Sequence, residues 1–213
     1  MVKNPTFLEA KKNPQLRQVY LDSIMPLCPE SVKELVYDPY GIKKNQHIDE
    51  LASQNLLNHL TKEEIASSKK RPFEAYIAVI YSPALIGERK QHPMFFSRFA
   101  FEKYNSAANF LSSVLDHETI HIDSLVYGID FGKNLIVNRT NANQVDWKIL
   151  LFADEVRAYN NQIEKLSERG IKDLYFREWL DWQLTSHEDL LLMVNSKTEL
   201  EERIKENLLY SSF

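Results

Sequence analysis

Two hydrophobic stripes of helical period dominate the second half of the chain. From Ala107 onward, Phe110, Leu111, Val114, Leu115, Ile122 and Leu125 recur at spacings that share one side of a helix. They predict a helix over residues 106–127, with Gly128 as its stop. The second stripe is Ile149, Phe152, Val156, Tyr159, Ile163 and Leu166, a regular 3-4-3-4-3 spacing. It predicts a helix over residues 146–168, ending before Gly170. Upstream, residues 14–25 read as a helix with Asn13 as N-cap and Pro14 at its first position. Residues 30–37 read as a short helix, and Asp38-Pro39-Tyr40-Gly41 as a turn. Ile48, Leu51, Leu56, Leu57, Leu60 and Ile65 read as one further helix, ended by Lys69-Lys70-Arg71 and Pro72. Residues 172–213 read as helical again, with Trp179 and Trp182 as packing residues.

Between these helices the pattern changes. Residues 75–81 are short, apolar and β-branched, which predicts a buried strand between Pro72 and Pro83. Residues 95–101 alternate in part and give a second candidate strand, and residues 135–137 a third. A small strand block set among helices predicts an α+β, mostly helical fold.

Composition narrows the class. The 213 residues are 44% hydrophobic and 26% charged, in the range of one ordinary globular domain. Net charge is −4 and the Lys and Arg residues are scattered, so nothing points to nucleic acid. The single cysteine, Cys28, excludes an intrachain disulfide framework and is expected to be a small buried apolar residue. No run approaches the ~20 apolar residues of a membrane span, and the first residues carry no signal-peptide pattern. The expected compartment is the cytoplasm.

The first stripe carries the chemistry. It contains His117-Glu118-Thr119-Ile120-His121. Residues at i and i+4 lie one turn apart on one side of a helix, so two imidazoles there can grip one metal ion. Glu118 falls near the middle of the apolar stripe, where a carboxylate needs compensation. Asp116 and Asp123 fall on the opposite side, where water is expected to solvate them. Catalytic zinc takes a third protein ligand and leaves one position for water. The second helix offers Asp154 and Glu155. Asp154 points away from the stripe there and is expected to face outward; Glu155 sits at the stripe's edge and is expected to reach inward.

Taken together, His117-Glu118-Thr119-Ile120-His121, the later Glu155-Val156-Arg157-Ala158 and the apolar lead-in Val114-Leu115 resemble the gluzincin metallopeptidases, whose prototype is thermolysin. The resemblance spans residues 114–162. Asp123 and Tyr159 depart from the family pattern. The resemblance implies Zn2+ held by His117, His121 and Glu155, with Glu118 as catalytic base. It also implies a zincin-like small sheet packed on the motif helix, whose edge strand would take up a peptide. Metzincins fit less well, since Ser124 and Tyr127 stand where their Gly and His belong. A di-iron bundle needs a second Glu-x-x-His, which is missing. Tyr127, Arg157, Tyr159 and His187 are candidate oxyanion donors; His47, His59 and His92 show no ligand spacing.

The expectation is therefore a single metallopeptidase-like domain over residues 1–213. It divides into a helical N-terminal part (1–70), a zinc-binding core (72–168) and a helical C-terminal part (172–213). Its partner would be a peptide or protein substrate, with no nucleic acid and no membrane. Two other readings stay open: a metal-stabilised binding or interaction protein without turnover, and an effector-like protease with one narrow substrate.

Overall fold

A computed structural model describes residues 4–73, 75–76 and 82–210. The fold is α+β and mostly helical. Helix α1 (Phe7–Lys12) opens on a capping box between Thr6 and Glu9. Asn13 caps a short 3-10 turn that begins at Pro14 and runs into α2 (Arg17–Ile24).

The next segment departs from the helical reading of residues 30–37. Val32–Tyr37 forms strand β1, parallel to β3 (His92–Phe96). The reason is visible in the register, which slips between Val32 and Glu34. The extra residue breaks the two-residue period. The buried positions Val32, Leu35 and Val36 then imitate a helical spacing. Pro93 sits beside this irregularity, where a missing backbone N–H does least harm.

The single helix expected through Ile48 and Ile65 is two helices, α3 (Ile42–Ser53) and α4 (Lys62–Lys70). Thr61 and Glu64 form a capping box that starts the second afresh. Strand β2 is described at Ala75–Tyr76, and the rest of the expected strand at 75–81 lies outside the described residues. The candidate strand at 95–101 is strand only to Phe96. Ser97 then caps α5 (Arg98–Lys103), its hydroxyl accepting from Phe99 N–H at 3.1 Å. The sheet order is β1-β3-β2, with β2 antiparallel to β3. Ile136–Val137 is indeed a strand, β5, paired with β4 (Ile129–Asp130) in a separate hairpin.

The motif helix runs from α6 (Ala107–Ser112) through a π-helical segment (Ser113–Glu118) into α7 (Thr119–Tyr127). Gly128 ends it at φ 95°, and a Cβ there would meet the Val137 carbonyl oxygen at 2.8 Å. Helix α8 (Trp147–Lys165) follows, then α9 (Leu174–Met193) and α10 (Glu199–Leu209).

Two buried clusters form the interior. The first joins Phe7, Tyr20, Phe96, Phe101 and Phe110, and extends to Ile122, Tyr159 and Leu180. It ties the N-terminal helices to the motif helix. The second joins Ile129, Val137, Ile149, Leu150, Leu191 and Ile204. Helix α8 contributes to both, and packs on α9, the π segment, α7 and α10. Buried side chains therefore surround much of it rather than lining one stripe. Cys28 packs against the first cluster, and burial pushes its thiol up to about 11, so it is a packing residue.

Candidate metal centre

The motif helix presents His117 from its π segment and His121 from α7. Both are buried, at 7% and 2% exposure. Their Nε2 atoms lie 3.3 Å apart. From α8, Glu155 brings Oε2 to 3.5 Å from His117 Nε2 and 3.7 Å from His121 Nε2. The three ligand atoms thus form a nearly equilateral triangle. Zinc bonds of about 2.0–2.1 Å at tetrahedral angles give ligand–ligand edges of about 3.3–3.4 Å. The residues present fit such an ion, both in donor type and in spacing. The Glu155 side chain is 20% exposed, against two buried imidazoles. Glu118 is half-buried where the π segment meets α7.

Asp154 overturns the expectation of an outward-facing carboxylate. It is fully buried. Its Oδ2 lies 2.8 Å from His121 Nδ1, and its Oδ1 accepts from Arg157 Nη1 at 2.6 Å and from Ser124 Oγ at 2.8 Å. The helical wheel failed because α8 is packed on several sides. Leu150 and Ala153, off the predicted stripe, are as buried as Ile149. The consequence for His121 is chemical. A proton on Nδ1, held by Asp154, leaves Nε2 as the lone-pair donor and fixes the ring, as outer carboxylates do for metal-binding histidines.

Asp116 also departs from expectation. It is fully buried, and its carboxylate is gripped by both Nε and Nη2 of Arg169. Asp123 is half-buried and accepts from Ser31 Oγ at 2.6 Å. No local signal marks the Asp116–Arg169 pair, because 53 residues separate its members.

The electrostatics follow from this packing. Burial disfavours charge on His121, but Glu155 and Asp154 outweigh it and hold its pKa well above the usual value. Burial likewise works against ionised Glu155, and His121 and His117 outweigh it, holding that carboxyl well below its usual range. Burial opposes ionised Asp154 too, and is overcome by His121, Arg157 and Ser124. The metal-free cluster therefore carries negative charge on the carboxylates and positive charge between them.

The candidate oxyanion donors separate cleanly. Tyr127 is exposed, and its hydroxyl donates to Glu30 Oε1 at 3.0 Å, away from the cluster. Arg157 is committed to Asp154 and Ser124, behind His121. Tyr159 lies against His117, ring centres 4.3 Å apart. His187 on α9 stacks 5.3 Å from Tyr159, and its Nδ1 lies 2.8 Å from the Gln183 carbonyl oxygen. Tyr159 thus borders the cluster, His187 lies behind Tyr159, and Tyr127 and Arg157 are engaged elsewhere. Trp179 packs 6.4 Å from Tyr159, whereas Trp182 is 62% exposed rather than packed. His47, His59 and His92 lie outside the cluster, as their spacing suggested.

No helix among the described residues is long and apolar enough to cross a membrane. No family model matches the chain, and no curated protein or solved structure matches it.

Proposed function

We propose that this chain is a zinc-dependent metallopeptidase of gluzincin type, acting on a peptide or protein substrate in the cytoplasm. The observation that carries the reading is the triangle of His117 Nε2, His121 Nε2 and Glu155 Oε2, with sides of 3.3, 3.5 and 3.7 Å. Two imidazoles and one carboxylate match a catalytic donor set, which leaves a coordination position for solvent. The cluster among the described residues comprises three groups, not four. That favours an open centre over a metal-stabilised protein without turnover. The single cysteine fits a reducing compartment.

A bound zinc ion would supply Lewis acidity and bring the pKa of a coordinated water toward about 7. Glu118 accepts the proton of the attacking water and returns it to the leaving amine. His117, His121 and Glu155 hold the metal, and Asp154 fixes the His121 ring. Tyr159, packed on His117, is the nearest of the candidate donors to the metal ligands. An edge strand of the three-stranded sheet would take up an extended peptide by β-augmentation.

The test is Glu118→Gln with a peptide library, with and without chelator. The variant should keep its zinc and lose roughly 10²–10⁴-fold in kcat. Cleavage at the parent rate would remove Glu118 from the mechanism. Zinc uptake without cleavage of any library peptide would point to a single narrow substrate or to a metal-stabilised protein without turnover, which a count of the zinc ligands then separates.

A further inference from the structure

The π segment ends within the His-Glu-x-x-His motif, and α8 holds it there. Thr119 N–H reaches back five residues to the Val114 carbonyl. In a regular α-helix, residues four apart are rotated by about 40° around the axis. Each wider π step removes part of that rotation and brings the two imidazoles closer to eclipsed. A widened turn also offers a backbone carbonyl to an outside donor. Here Asn161 Nδ2 donates to the Asp116 carbonyl oxygen at 2.6 Å. The Asp116 side chain, fully buried, is clamped by Arg169, with Nη2 to Oδ1 at 2.6 Å. Asn161 is on α8, and Arg169 follows its end. The same helix carries Glu155 and Asp154.

We infer that the π turn sets the spacing of the His117–His121 pair, and that Asn161, Asp116 and Arg169 are the positioning residues that hold its shape. None of the three touches the metal. They act by fixing the turn from which His117 projects, while Glu155 approaches from α8, the helix that supplies Asn161 and leads on to Arg169. Turn width and the third ligand are thereby set by one rigid element. This rests on the metal reading of the triad, and not on hydrolysis.

The experiment uses the full chain in three forms: parent, Asn161→Leu, and the Asp116→Leu/Arg169→Met pair, which removes the buried carboxylate and its half-buried partner together. Zinc affinity is measured by competition with a chromophoric chelator, the melting temperature on metal-free protein, and geometry from the visible bands of the cobalt-substituted protein. Zinc should bind roughly 10–100-fold more weakly in both variants. The cobalt bands should shift, because the ligand geometry changes. Parent-like affinity and cobalt spectrum in both variants would overturn the inference. A weaker affinity that merely follows a lower melting temperature, with unchanged cobalt bands, would overturn it as well. A parent that takes up neither zinc nor cobalt sinks the triad reading and this inference with it.

Discussion

Histidines are buried or half-buried both inside and outside the cluster, and the two settings shift His121 and His92 in opposite directions. Outside the cluster, His47, His59 and His92 keep ring nitrogens buried without a hydrogen-bond partner among the described residues, as His117 does at Nδ1 within it. Burial lowers the pKa of each. In the α7–α8 cleft, His121 is more deeply buried, yet its pKa is raised, because Glu155 and Asp154 face it. Burial alone makes a histidine an uncharged core residue. Burial with oriented carboxylates makes it a site that binds a cation, whether a proton or a metal ion.

The sharpest way to break that contrast is to remove a member of the triangle. His117→Ala, His121→Ala and Glu155→Ala should each abolish stoichiometric zinc, read by elemental analysis of purified protein. Full zinc content in Glu155→Ala would separate the carboxylate from the pair. His92→Ala should leave the zinc content unchanged.

Next comes the orienting carboxylate. Asp154→Ala strands the Arg157 cation and frees the His121 ring. Breaking a buried pair from one side costs about 3–5 kcal/mol, to be read in urea unfolding of metal-free protein. Zinc should also bind roughly 10–100-fold more weakly. An unchanged zinc affinity would reduce Asp154 to a packing residue.

His47, His59 and His92 give a smaller effect with a definite sign. Their folded pKa values are lowered, so the unfolded chain binds more protons at mildly acidic pH. Their contribution is fully present above the unfolded value of about 6.5 and is lost as pH falls below it. His121, with its raised pKa, works in the opposite sense over the same window, so the readout is a difference: between pH 7.5 and 5.5 the parent should lose more stability on acidification, or gain less, than His92→Gln. Parallel profiles in parent and variant would mean that the His92 ring finds a partner on protonation.

The smallest effect is expected from Ser124→Ala. It removes one hydroxyl from Asp154 and leaves Arg157 and His121 in place, so metal-free stability should drop by about 1 kcal/mol. A loss as large as that of Asp154→Ala would show that the network fails as a unit.

Much of the site was legible in the sequence because its members obey local geometry. His117 and His121 are one turn apart, and Glu155 sits at the edge of a clean stripe. The structure brings these three together. Asp154 and Asp116 were misread because a helical wheel assumes one buried face. A usable hint existed for Asp154: apolar Leu150 and Ala153 lie off the stripe, and Arg157 stands three residues on. For Asp116 the partner is remote. The α+β class was readable from the strand block, but β1 was hidden by its bulge. The second half of the 95–101 candidate was hidden by the helix that Ser97 starts. In both places tertiary pairing and a local cap outweighed the periodicity.

Gly128 closes the motif helix where a β-carbon would run into the Val137 carbonyl oxygen at 2.8 Å. The stop is thus a mechanical end-plate. The helix can neither grow by a residue nor slide along its axis without lifting the neighbouring hairpin from the second core. A side chain at this position would press on the hairpin, seven residues along the chain from His121, and so disturb the proposed cluster without touching it.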